Sequence, residues 1–140
     1  MLQRFGNLTM NELHITIPLN PVTKKNHSQI ITSADGRKHV IPSKQYLRYE
    51  RESAYWLSRY RNKTGFPIME PVEVTCLFYR ETRHKVDLTN LLSAIDDILV
   101  HFGVLEDDNC KIIVSHDGSR VLYDKEHPRT EVHIRRYQNG

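Results

Sequence analysis

Cysteine is scarce in this chain of 140 residues: only Cys76 and Cys110 occur, far apart and without a CxxC pair. That excludes a disulfide framework and a thiolate zinc site, and both thiols read as small buried or half-buried side chains. Long apolar runs are absent, and no stretch approaches the roughly 20 residues that a membrane-spanning helix requires. The N-terminus has no apolar core of the signal type after its charges, so a cytoplasmic protein without a membrane partner is the expectation. The eight histidines are scattered and none forms the helical pair of a zinc protease. They read as structural or surface residues, with His84 alone standing near an acidic segment. Internal repeats and low-complexity tracts are missing too.

What is present describes a folded chain. Hydrophobic residues make up 39% and charged residues 26%, enough apolar content for a core and too much for a disordered tail. The length is that of one compact domain, residues 1–140, with 1–12 as a loose lead-in. The net charge is only +3, yet the cations are clustered: Lys24 and Lys25, Arg48 and Arg51, Arg59 to Lys63, and Arg80 to Lys85. Such patches attract a phosphate backbone, or else form ordinary solvated surface.

Periodicity places the elements. Leu13, Ile15 and Ile17 alternate with polar residues as a strand does, and Pro18 and Pro21 end it. Asp35-Gly36 lies between Ile30-Ile31 and Val40-Ile41 and predicts a hairpin. Ser43 reads as the N-cap of a first helix from Lys44 to Arg61, with Leu47, Ala54, Trp56, Leu57 and Tyr60 on its apolar side. Arg48, Arg51, Arg59 and Arg61 form its basic exterior, and Gly65 and Pro67 end the segment. Val72 to Tyr79 alternates as a second strand, with Cys76 and Phe78 on its apolar face. From Leu88 to Phe102, seven apolar residues at helical spacing predict a second helix, stopped by Gly103. Lys111 to Val114 and Thr130 to Tyr137 read as the last strands, with Asp117-Gly118 and His127-Pro128 in the loops between them. The fold class is α+β, two helices packed on one mixed sheet.

Two acidic groups flank the second helix. Asp87 stands at its start, where its side chain can cap the helix and still point outward. Asp107 and Asp108 stand beyond its end, just before a strand. Convergence of the two groups requires the sheet to bring the strand after Asp108 back beside the strand before Asp87. Hard cations such as Mg2+ are held by one or two carboxylates plus water and phosphate oxygens, so two or three converged aspartates suffice for a phosphodiester-hydrolysing site. Asp97 falls opposite the Leu/Ile stripe, in line with Asn90 and Ser93, and reads as a solvated helix residue.

The run from Lys85 to Lys111 contains Asp87-Leu88-Thr89-Asn90-Leu91, Asp97-Ile98-Leu99 and Gly103-Val104-Leu105-Glu106-Asp107-Asp108. In order and spacing it resembles the RusA family of Holliday junction resolvases, common in prophages. Pro18, Pro21, Lys24, Lys25 and Asn26, and Pro42-Ser43-Lys44 followed by Tyr46, resemble the phage-type branch, so the likeness runs from about residue 13 to residue 136.

The resemblance implies a homodimer that binds four-way DNA junctions and cuts two strands symmetrically, in recombination and repair, with Mg2+ or Mn2+ held by aspartates. By position Asp87 and Asp108 match the first and last catalytic aspartates, with Asp107 as a further metal ligand. Thr89 stands where the family often has a second aspartate, and Ser93 where some members have a lysine. Asn90, Asp97 and Lys85 are supporting candidates. Lys24, Lys25, Lys44, Arg80, Arg83, Lys85 and Lys111 are the expected DNA contacts. The alternative is a non-catalytic nucleic-acid-binding module with a degenerate site of the same kind.

Overall fold

The computed structural model describes residues 12–24 and 28–138. The lead-in expected over residues 1–12 lies outside the described residues except for Glu12, and Lys25 and Asn26 lie outside them too. Glu12 is not part of a lead-in, because it opens the first strand, β1 (Glu12–Ile17), in which Ile15 and Ile17 are buried. A hairpin of β2 (Gln29–Thr32) and β3 (Lys38–Ile41) forms a separate two-stranded sheet. Its turn depends on Gly36, whose φ of 84° suits a residue without Cβ.

The first helix, α1 (Lys44–Leu57), starts where Ser43 Oγ accepts a hydrogen bond from the Tyr46 backbone N–H at 3.0 Å. It stops short of Arg61 and tightens into a 3₁₀ turn at Ser58–Tyr60. Its buried face also differs from the expected one. Tyr46, Tyr49, Ser53 and Leu57 point inward, while Leu47, Ala54 and Trp56 are only partly buried. Tyrosine carries a large apolar ring behind a polar tip, so a count of aliphatic residues underweights it. Arg48, Arg51, Arg59 and Arg61 are exposed as expected.

The main sheet is built around β4 (Val72–Arg80), whose inward residues Val72, Val74, Cys76 and Phe78 are buried. On one side β4 pairs antiparallel with β7 (Arg129–Arg136), which pairs antiparallel with β1. On the other side β5 (Ile113–Ser115) and β6 (Arg120–Tyr123) occupy successive lengths of the same β4 edge, both parallel to it. Parallel pairing needs a long crossover, and α2 (Leu88–His101) supplies it. The sheet has five strands, two parallel contacts and one face covered by helix: the mixed α+β arrangement.

Strand β6 was not expected, because Arg120–Tyr123 is short and exposed and shows no clean alternation of burial. It is docked by the bend before it. Thr75 Oγ1 donates to the Asp117 carbonyl at 2.7 Å, and the Cys76 N–H donates to Ser119 Oγ at 2.9 Å.

The apolar stripe of α2, including Leu91, Ala94, Ile95, Ile98 and Leu99, joins one core with the inward residues of β1, β4 and β7. Gly103 ends the helix at a φ of 79°. Cys76 is buried, but Cys110 is exposed because it sits in the turn before β5 rather than on a strand. No helix among the described residues is long and apolar enough to cross a membrane.

Candidate active site

The carboxylates lie along α2 and in the turn that follows it. Asp87 is the N-cap of α2 by backbone position, but its side chain makes no capping bond. Its Oδ2 instead accepts from Asn90 Nδ2 at 3.2 Å, which leaves an exposed carboxylate beside exposed Thr89 and Lys85.

Two turns further along, Asp96 and Asp97 diverge to two different partners. Asp96 sits at the margin of the apolar stripe, with Leu92 four residues before it and Leu99 three after. Its side chain is 13% exposed, and its Oδ2 lies 2.9 Å from His116 Nε2. His116 Nδ1 is 2.8 Å from the Val74 carbonyl, which can only accept, so Nδ1 carries a proton and donates. The imidazole therefore bridges the middle of α2 to the backbone of β4. Burial pushes the Asp96 carboxyl up from its ordinary value, partly offset by His116. For His116, burial disfavours the charged form, but the hydrogen bond and charge of Asp96 and the Val74 carbonyl outweigh it and raise its pKa. Asp96 Oδ1 is buried and has no hydrogen-bond partner among the described residues.

Asp97 is not the solvated residue that its place on the helical wheel suggests. It is half-buried, and its Oδ2 accepts from Lys24 Nζ at 2.5 Å, an ion pair between α2 and the loop after β1. Lys24 Nζ also lies 5.9 Å from the centroid of the Tyr46 ring. The Tyr46 hydroxyl is buried and without a hydrogen-bond partner among the described residues. Burial, followed by the charges of Glu50 and Asp97, raises its pKa.

The turn after α2 is shaped by its own side chains. Asp107 Oδ1 accepts from the Asp108 N–H at 2.7 Å, Asp107 Oδ2 accepts from Asn109 Nδ2 at 3.0 Å, and Asn109 Oδ1 accepts from the Lys111 N–H at 2.9 Å. Those bonds lower the pKa of Asp107. Asp108 moves the other way. Burial raises it first, then its contact with Asp107 and the charges of Asp97, Asp107 and Asp96.

The fold thus collects Asp96, Asp97, Asp107 and Asp108 into one electrostatic neighbourhood. Asp87 stands at the other end of α2 from the Asp107–Asp108 turn. It stands ten residues before Asp97 on the same helix, about 15 Å along the axis at ~1.5 Å per residue. The strand after Asp108 does lie beside β4, but it pairs with the beginning of β4, at Val72 and Glu73, rather than with the end that leads toward Asp87. Lys44, Arg83, Lys85 and Lys111 are exposed, while Arg80 is half-buried with Nη1 donating to the His84 carbonyl at 2.6 Å. His84 is exposed and contributes that carbonyl.

A divalent cation has a chemical fit here. The donors at Asp107 and Asp108 are hard carboxylate oxygens at an exposed turn, and burial first, then the neighbouring carboxylates, raise Asp108, a burden that a cation relieves. Among the described residues no group of three or more His, Cys, Asp or Glu side chains is arranged to hold a metal ion. The fit is therefore that of an open site completed by water and phosphate oxygens, not of a closed cage.

Sequence reasoning missed the Asp96–His116 bridge. A signal was available: a carboxylate with leucines at i−4 and i+3 faces the half-buried side of a helix and needs a partner. The family model described as Endodeoxyribonuclease RusA matches residues 18–135 of the chain. No curated protein matches it.

Proposed function

The chain belongs to the RusA family of endodeoxyribonucleases, and from that premise we propose that it hydrolyses phosphodiester bonds of four-way DNA junctions, in recombination and repair, with Mg2+ or Mn2+. The observation that carries the reading is the family match over residues 18–135, which spans Asp87, the whole of α2 and the exposed Asp107–Asp108 turn. Asp108 and Asp107 would hold the cation, while Asp87, which the resemblance gives as the first catalytic aspartate, stands apart at the start of α2. Bound there, the ion supplies an activated water and a counter-charge for the reacting phosphate.

The remaining roles belong to the chain itself. Lys24 engages Asp97, and His116 ties Asp96 to β4, so the helix that leads to the Asp107–Asp108 turn is fixed on the sheet. Exposed Lys44, Arg83, Lys85 and Lys111 supply positive charge for the phosphate backbone, with Arg80 shaping the loop that bears two of them. A two-fold homodimer suits the substrate, because a junction is itself nearly two-fold symmetric and two identical sites then face opposing strands.

Two observations favour a second reading, a binding module without catalysis. Thr89 occupies the place of a family aspartate, and Asp87 is spaced along α2 away from the Asp108 group. A synthetic four-way junction with Mg2+ separates the two. The nuclease cuts it at paired positions, and Asp108→Asn binds without cutting. Wild-type protein that binds the junction but leaves it intact in both Mg2+ and Mn2+ refutes the nuclease reading.

A further inference from the structure

We propose that a groove at the carboxyl ends of β4 and β6 takes an unpaired nucleotide of the bound DNA, its base stacked on the Arg83 guanidinium. The proposal rests on the DNA-acting reading above and adds a site for one chemical feature of the substrate. The groove has a volume of about 340 Å³ and is lined by Arg80, Arg83, His84, Val121, Leu122 and Tyr123, among others. That size falls within the roughly 300–1,000 Å³ of ligand pockets.

Its position follows from the topology. β4 and β6 are parallel, with Arg80 paired to Tyr123 at their shared carboxyl end. In open α/β sheets, ligands bind in the crevice beyond the carboxyl ends of parallel strands at a switch point, and the groove lies at the corresponding end of the parallel β4–β6 pair. The loop that leaves β4 there carries Arg83 and runs on to Asp87 at the start of α2. That loop is held in shape: Arg80 Nη1 donates to the His84 carbonyl, and the Asp124 N–H donates to the Arg80 carbonyl at 2.9 Å.

The chemistry selects a nucleotide. The Arg83 guanidinium carbon lies 3.9 Å from the centroid of the Tyr123 ring, so a planar cation is laid over an aromatic face. Tyr123 is 39% exposed and Val121 37%, so the stack is open to solvent. The lining contains two arginines and a histidine and no carboxylate. A flat base stacks on a guanidinium backed by a ring, and its phosphates meet the neighbouring cations. A base paired within a duplex is already stacked on both faces, so the groove favours a nucleotide freed at a branch.

The test is fluorescence anisotropy in EDTA with two labelled DNAs, a four-way junction carrying unpaired nucleotides at its branch point and a fully paired linear duplex. Arg83→Lys keeps the charge and loses the plane. It weakens junction binding about tenfold, the scale of one lost base stack, and weakens duplex binding far less, because the charge that meets the phosphate backbone is kept. Tyr123→Ala does the same, and Tyr123→Phe restores wild-type affinity, which separates the effect from misfolding. Wild-type junction affinity in Arg83→Lys reduces Arg83 to a point charge and overturns the proposal, as does an equal loss on the duplex. The outcomes also separate the two readings. Protein that shows this binding pattern but leaves DNA uncut in both Mg2+ and Mn2+ loses the nuclease reading and keeps the nucleotide site. Protein that cuts, with Arg83→Lys binding normally, keeps the first and loses the second.

Discussion

Replacing His116 by alanine removes both hydrogen bonds of its ring, to the Val74 carbonyl and to Asp96 Oδ2. Asp96 Oδ1 is already unpartnered among the described residues, so in the variant neither oxygen of a carboxylate that is 13% exposed keeps a hydrogen bond. Stranding a buried charge costs about 3–5 kcal/mol. The remaining exposure of Asp96, and its freedom to take up a proton, bring the expected loss to about 2–3 kcal/mol. With a urea dependence of about 2 kcal/mol per molar, the unfolding midpoint falls by about 1–1.5 M. The assay is urea unfolding followed by circular dichroism, on wild type, His116→Ala, Asp96→Asn and the double variant.

A pH series adds a second reading of the same pair. The folded-state pKa of His116 stands above 6.5, its burial outweighed by Asp96 and the Val74 carbonyl. Asp96 is raised as well, by burial first. Both shifts mean that the folded chain binds the extra protons. The stabilisation from His116 is complete below pH 6.5 and is lost as pH rises through its folded-state pKa, so the gap between wild type and His116→Ala narrows on the alkaline side. A midpoint change below about 0.3 M at pH 6, or a double variant whose loss equals the sum of the two single losses, refutes the bridge as an energetic unit.

Ser43→Ala removes the acceptor for the Tyr46 N–H and lowers stability by about 1 kcal/mol, read from thermal unfolding. Gly103→Ala places a Cβ 3.2 Å from Arg61 Cα at a backbone φ of +79°, and loses about 1–3 kcal/mol in the same measurement. The affinity for DNA falls linearly in logarithm with the logarithm of salt concentration, and Lys111→Ala reduces that slope by about 1; an unchanged slope removes Lys111 from the phosphate contacts.

Much of the fold is legible in the chain because its main elements are amphipathic in one period each. The stripe from Leu88 to Phe102 has the period of a helix with one wet side, and Val72 to Tyr79 alternates as a strand with one dry face does. Ser43 and Gly103 mark helix ends because capping and left-handed backbone are local demands. The inward face of α1 was harder to read, since two of its buried side chains, Tyr46 and Tyr49, have polar tips. Strand β6 was illegible: its docking comes from β4, more than forty positions earlier, through bonds such as Thr75 to Asp117.

The acidic residues show the same division. That Asp87, Asp97, Asp107 and Asp108 belong to one spaced series could be read from order along the chain, as could the family likeness. Their partners could not. Whether Asp97 meets solvent or Lys24, and whether Asp96 finds His116, depends on which loops the β4–α2–β5 crossover brings against the helix. By itself, then, the sequence determined the periods, the caps and the supply of carboxylates, because these depend on near neighbours in the chain. Only the tertiary structure decided which carboxylates share a field and which cations meet them, because electrostatic energy depends on distance through space and on burial, and residues far apart in sequence set both.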